Sequence, residues 1–144
     1  MHKLKVSCRP IFHLSVLVVC ATLIGGCATT KNAESRNAIA DLKTAHLAYI
    51  DQFTEGAGKT WDDQKLATST AALEKQFSDA EDAAATKSDA RRKTAISTLH
   101  SQFKRDAAML KSKKAFFRTT FATDLKKKVS QNYDLALKGE DIRS

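Results

Sequence analysis

Few side chains in this sequence could carry catalysis or bind a metal. After residue 27 there are two histidines, His46 and His100, and no further cysteine. Zinc sites use three or four ligands, commonly histidine or thiolate pairs at short spacing, and neither histidine has a second one at i+3 or i+4. The sequence also has no glycine-rich phosphate loop and no c-type haem motif. It therefore predicts no catalytic residue, no metal and no cofactor, and an enzyme is the least favoured class.

Two weaker candidates for a site have plainer interpretations. His46 lies on an apolar helix seam and could meet His100 across a bundle, but a partly buried, hydrogen-bonded histidine is the simpler expectation. Asp79, Glu81 and Asp82 form an acidic cluster that could attract a cation. Because these three positions spread around a helix, they are more typical of a solvated surface.

The first 26 residues have the order of a secretory signal peptide. Three basic residues lie before Ile11, residues 11–24 form a mostly apolar run, and Gly25 and Gly26 follow it. A positive, apolar, small-residue order is typical of export signals. An uncleaved membrane-spanning segment is an alternative, but a span needs about 20 apolar residues and this run is shorter.

The stretch Leu23-Ile24-Gly25-Gly26-Cys27 resembles the lipobox of bacterial lipoproteins. In that family a peptidase cuts just before a cysteine whose thiol is already lipidated, which here implies cleavage between Gly26 and Cys27. The resemblance implies a diacylglyceryl group on the sulfur and an acyl group on the freed amine, so the partner is a lipid bilayer. Cleavage by the ordinary signal peptidase near residue 28, with release of the protein, is the alternative.

In bacterial lipoproteins, the residue after the lipidated cysteine helps to determine whether the protein stays in the inner membrane or reaches the outer membrane. In lipoproteins an aspartate there retains the protein at the inner membrane, and here that residue is Ala28. The resemblance therefore implies an outer-membrane anchor facing the periplasm if the source is Gram-negative. An inner-membrane or cell-surface location stays open.

The chain that remains after such cleavage favours helix throughout. It has no proline, and residues 59–138 contain neither proline nor glycine, while alanine, lysine and leucine abound. Such a composition favours helix and offers no breaker. We therefore predict an all-α protein with one domain, because residues 27–144 suffice for one modest core and not for two.

Apolar residues recur at spacings of three and four along several stretches. Residues 33–54 and 60–85 each show one such seam, and the seam changes phase between Leu73 and Ile96, which predicts a turn at residues 86–89. Through Ser112 the spacing of seven continues unbroken, so a turn there and one long helix fit equally. We predict an antiparallel bundle of four helices, with three helices and one long C-terminal helix as the alternative.

The predicted domain limits follow from these seams. Residues 1–26 are the signal peptide, 27–32 the lipidated cysteine and tether, and 33–139 the helical bundle. Lys138 and Gly139 suggest a C-terminal cap. Residues 140–144 are expected to be a frayed tail.

Charge is distributed unevenly along the chain. Residues 28–90 contain 7 basic and 11 acidic residues, whereas residues 91–144 contain 14 basic and 5 acidic ones. Export places most nucleic acid out of reach, so an acidic protein surface, a glycan or anionic lipid is the better partner for a basic half. A solvated lysine-rich helix face is the plainer alternative. We expect a non-catalytic module that docks an envelope protein, or else a binder of anionic envelope polymer or lipid.

Antiparallel threading assigns the basic clusters to opposite ends of the bundle. The end near the tether receives a basic triplet, a hypothetical membrane contact, at Arg91, Arg92 and Lys93. The far end receives hypothetical partner contacts at Trp61, Lys111, Lys113 and Lys114. Trp61 also has a structural interpretation, as a plug that packs the end of the bundle.

Overall fold

The computed structural model describes the backbone of residues 16–54 and 61–142, and the side chains of residues 33–54, 61–114 and 116–142. The described residues form four α-helices and a 3-10 turn. In chain order these are α1 (Val16–Phe53), α2 (Asp63–Thr86), α3 (Ala90–Lys113), the 3-10 turn Lys114–Phe116, and α4 (Thr119–Asp141). The predicted four-helix bundle is confirmed, and the three-helix alternative is wrong.

Helix α1 packs mainly on α4, and α2 mainly on α3, while lesser α1–α2 and α3–α4 contacts close the bundle. The register of α1 against α4 is antiparallel: Arg36 pairs with Asp141, and seven residues further along α1, Lys43 pairs with Asp134, seven residues back in α4. Lys126 and Asp51 pair nearer the other end. These exposed pairs follow the register set by the core, since such pairs are individually worth about 0–1 kcal/mol.

The predicted apolar seams face the interior. Each helix contributes large side chains with almost no exposed surface, among them Ile39 of α1, Phe77 of α2, Phe103 of α3 and Tyr133 of α4. Since no cysteine lies among residues 28–144, a disulfide within that part of the chain is not available and packing stabilises it.

The turn predicted at residues 86–89 is present. Asp89 caps α3, because its side chain accepts a hydrogen bond of 2.9 Å from the Arg92 amide. Ser88 has a φ of 55°, and the amides of Ser88 and Asp89 bond back to the carbonyls of Ala85 and Ala84. A left-handed residue after the helix with two backward amide bonds is a common way to end an α-helix.

The break between α3 and α4 occurs at Lys114. Its φ of 49° lies in the left-handed region, and its amide bonds to the carbonyl of Leu110. Leu110 and Phe117, seven residues apart on either side of the break, are both buried. The spacing of seven therefore predicted the burial of both residues correctly, although the helix ends between them.

The C-terminal end differs from the sequence prediction. Helix α4 continues to Asp141, so Gly139 is a helical residue and Lys138–Gly139 is not the cap. Glu140 is 1% exposed and lies against Arg92, and Asp141 pairs with Arg36. The expected frayed tail is wrong for these two residues, because their carboxylates have partners distant in sequence. Residues 143 and 144 lie outside the described residues.

Helix α1 begins before the predicted domain. Its backbone is helical from Val16, so residues 27–32, which we expected to act as a tether, belong to the helix. The side chain of Cys27 and residues 1–15 lie outside the described part of the chain. In helical form the tether rises about 9 Å, against about 20 Å when extended.

Candidate functional site

The interior of the bundle holds one histidine with polar neighbours. His46 has no exposed surface, and its Nε2 atom lies 3.3 Å from Oδ2 of Asp106 in α3. Neither atom has a well-aligned hydrogen bond, so the contact is electrostatic. On the other side of the ring, Nδ1 lies 3.4 Å from the hydroxyl of Tyr133 in α4. His46 therefore connects three helices through its two ring nitrogens.

The hydroxyl of Tyr133 stays protonated in this enclosed interior. Burial, and then the charge of Asp106, raise the pKa of Tyr133 above its usual value. Its hydroxyl therefore keeps its proton, and it donates to Nδ1 of His46 or accepts from it according to the tautomer of the imidazole. Because the ring of His46 is closed off from solvent, this arrangement positions helices and offers no access to a substrate.

The second histidine lies elsewhere. His100 places Nδ1 3.1 Å from Glu81 of α2 and stacks on Phe77, with ring centroids 4.8 Å apart. Phe77 stacks in turn on Phe103, which contacts His46. Two phenylalanine rings thus separate His46 from His100, and the two histidines do not meet.

The acidic cluster of α2 is divided among different partners. Asp79 pairs with Lys75 at 2.7 Å, and Glu81 faces His100. Among the residues that the structure describes, no group of three or more metal-ligating side chains comes together.

The basic triplet in the first turn of α3 is not uniformly exposed. Arg92 is 7% exposed and bonds to Glu140 at 2.7 Å and to Asp89 at 3.2 Å, whereas Arg91 and Lys93 are exposed. The hydrogen bond with Glu140 raises the pKa of Arg92, against the effect of burial. Arg92 therefore ties α3 to the end of α4, and two of the three cations remain exposed to solvent.

This triplet lies at the end of the bundle that contains the start of the described side chains of α1. Lys87, just before it, pairs with Glu34 at 2.7 Å. The pairing with Lys87 lowers the pKa of Glu34. The predicted threading is consistent with these contacts.

The far end brings together two of the predicted partner contacts. The indole Nε1 of Trp61 donates to one oxygen of Asp63 at 2.9 Å, and the ammonium of Lys114 contacts the other oxygen at 3.2 Å. The ring of Trp61 is half-buried against Phe53, with centroids 5.9 Å apart. Trp61 thus packs the end of the bundle, in agreement with its structural interpretation.

The remaining predicted contacts lie on the same connection. Lys111 and Lys113 are exposed in the last turn of α3. Phe116, which is not among the predicted contacts, is 80% exposed in the 3-10 turn that follows. Its exposure could have been inferred only from its neighbour: Phe117 falls on the apolar seam, and the residue next to a seam position points away from the core.

A groove of about 600 Å³ runs between α2 and α3 toward this end. Alanines form much of its floor, and residues of both charges line its edges, among them Glu74, Lys104 and Lys111. Its lining includes no histidine.

Comparison of the chain with protein families, with curated proteins and with solved structures gives no significant match. Across the part of the chain that the structure describes, no helix is long and apolar enough to cross a membrane.

The Trp61–Asp63–Lys114 bridge can be followed by acid titration. The hydrogen bond from Trp61, and then that from Lys114, lower the pKa of Asp63 below its ordinary value of 3.8. The stabilisation from this bridge is therefore present above the ordinary value and is lost as pH falls through the lowered pKa. Because Trp61 is the one tryptophan, its fluorescence should change with a midpoint below 3.8.

The Asp63→Asn variant is the control for this titration, since an amide has no carboxylate to protonate. The fluorescence change should be absent there, while circular dichroism stays constant in both proteins over the same range. The same transition in the variant would show that Trp61 senses another group.

Loss of the buried ion pair should destabilise the domain. Glu140→Gln leaves the buried Arg92 charge with Asp89 alone, and breaking a buried pair typically costs about 3–5 kcal/mol. We expect a loss near the lower value, measured by urea unfolding. Asp79→Asn, which breaks an exposed pair with Lys75, is the matched control and should cost less than about 1 kcal/mol. Equal losses for the two variants would contradict the structural role of Glu140.

Proposed function

We propose that this protein is a lipid-anchored protein of the bacterial envelope whose helical bundle is a non-catalytic interaction module. The observation that supports the module is the far end, where Trp61 and Lys114 converge on Asp63 beside the exposed Phe116. The polar groups of the interior are enclosed, so the chemistry available to other molecules lies on the surface. An exposed aromatic ring with basic neighbours is a common composition for a contact surface.

The proposed anchor is Cys27, with cleavage after Gly26, and the proposed location is the outer membrane, facing the periplasm. The lipobox-like stretch and Ala28 support this location. A chain with three acyl groups would stay bound, because two membrane signals already suffice for stable attachment.

Anchoring at Cys27 would orient the domain. The helical rise from residue 27 to residue 33 is about 9 Å, so the end with Arg91 and Lys93 would lie close to the lipid surface. Residues 33–53 of α1 add about 30 Å, so the far end would face away from the anchoring leaflet. The envelope partner would therefore meet the far end first.

The anchor is tested by replacing the thiol. Cys27→Ser should remove the lipid acceptor, so the protein should accumulate as an unlipidated precursor and take up no labelled fatty acid. Cys20→Ser is the matched control and should be labelled like the wild type, because Cys20 does not follow a pair of small residues. Label retained on Cys27→Ser would refute the lipobox interpretation.

The contact surface is tested by site-specific photo-crosslinking in cells. A benzophenone amino acid at position 116 should give a defined adduct, whereas the same probe at position 135 should not. The two positions are matched, because Phe116 and Leu135 are 80% and 68% exposed, but Leu135 lies along the side of α4. Adducts at both positions, or at position 135 alone, would contradict a contact surface at the far end.

A further inference from the structure

The connection between α3 and α4, residues 111–121, is called the tip here. We propose that the tip binds the headgroup surface of an anionic lipid bilayer. This inference rests on the proposed function, because it names the partner of the contact surface at the far end. The carrying observation is an exposed aromatic ring flanked in sequence by four cations, three of which have no carboxylate within ion-pair distance among the described residues.

The tip is strongly basic. It contains Lys111, Lys113, Lys114 and Arg118, and no acidic residue occurs between Lys111 and Thr123. Asp63 of α2 pairs with Lys114, while its neighbour Asp62 caps α2 by accepting from the Lys65 amide. In the described part of the chain, Lys111, Lys113 and Arg118 have no carboxylate within ion-pair distance. Three cations of the tip are therefore available to anions.

The apolar part of the tip is fixed in an exposed position. Phe117 is 1% exposed and its ring contacts Phe121 edge-on, with centroids 5.5 Å apart. Phe121 is 43% exposed and Phe116 is 80% exposed. Phe117 is held in the core and its amide bonds to the carbonyl of Lys114, so Phe116 projects from a hydrogen-bonded turn.

This composition suits a bilayer interface better than an acidic protein. Stable protein interfaces bury roughly 1,200–2,000 Å² around a central cluster of anchors, whereas the tip offers one fully projecting ring. At a bilayer, an aromatic ring enters the boundary between headgroups and acyl chains. Lysine and arginine reach phosphates on long stems and contribute about 1 kcal/mol each near an anionic surface.

The opposite end of the bundle provides a contrast. There Arg92 is buried against Glu140, and Lys87 is paired with Glu34. Arg91 and Lys93 are exposed cations without an exposed aromatic ring beside them in sequence. The two ends thus allow a matched comparison, because two exposed cations can be neutralised at each end.

The experiment uses the full-length protein, purified from membranes and inserted by its own lipid into donor vesicles of phosphatidylcholine. Acceptor vesicles contain equal parts of phosphatidylcholine and phosphatidylglycerol, or phosphatidylcholine alone. Capture of acceptors by donors is measured by co-sedimentation at low and high salt. Trp61 fluorescence, with brominated lipid in either vesicle, reports whether the tip meets the acceptor or the donor bilayer.

We expect capture of the anionic acceptors only, with quenching from the acceptor side and a marked decrease at high salt. The double variant Lys113→Gln/Arg118→Gln should weaken capture about 25-fold, at about fivefold for each cation. Phe116→Ser should weaken it about tenfold or more, because the ring no longer enters the interface. The control Arg91→Gln/Lys93→Gln should change it less than about twofold, because the two clusters lie about 30 Å apart.

Three outcomes would overturn the proposal: equal capture of neutral acceptors, equal weakening by the control variant, or capture that the tip variants leave unchanged. Unchanged capture together with a protein adduct at position 116 would identify the tip as a protein-docking surface instead. Failure of the anchor is distinguishable, since the protein would then not stay with donor vesicles. In that case, co-sedimentation of the unanchored protein with the acceptors tests the tip by the same variants.

Discussion

The ring of Phe103 is the contact on which the packing of this domain depends. It is fully buried, meets His46 and Tyr49 of α1 edge-on at 5.2 and 5.1 Å, and stacks on Phe77 of α2 at 5.5 Å. Tyr133 of α4 joins this layer through its contact with His46. One layer therefore takes a ring from each helix, and aromatic pairs contribute about 0.5–1.5 kcal/mol beyond the area they bury. Separation of any one helix would expose the others.

The apolar seams and a bundle of four helices could be predicted from the sequence, whereas the residue at which α3 ends could not. Burial at a spacing of three and four is a local property, so Leu73 and Phe103 were recognisable as core residues, and the phase change between them located the α2–α3 turn. The α3–α4 break depends on the positive φ of Lys114, which a non-glycine residue adopts at some cost. No local signal marks it, because Leu110 and Phe117 remain buried on both sides.

Contacts between distant residues limited prediction of the candidate site in the same way. Antiparallel threading placed Trp61 and Lys114 at one end, but their shared partner Asp63 follows from the way α2 meets α3. Arg92 was predicted to be a membrane contact within a basic triplet, because its partner Glu140 lies 48 residues further along the chain. A charged residue needs a partner if it becomes buried, but the sequence alone does not identify that partner.

The exposure of Phe116 follows from its neighbours. Phe117 occupies the seam position and its amide bonds to the carbonyl of Lys114, so the turn between them directs residue 116 outward. Burial of a phenylalanine side chain would contribute about 1.5–3 kcal/mol, and the domain forgoes that stabilisation at this position. A polar residue would fit the same turn without this loss. The fold thus accommodates the ring of Phe116 without using it for the stability of the bundle.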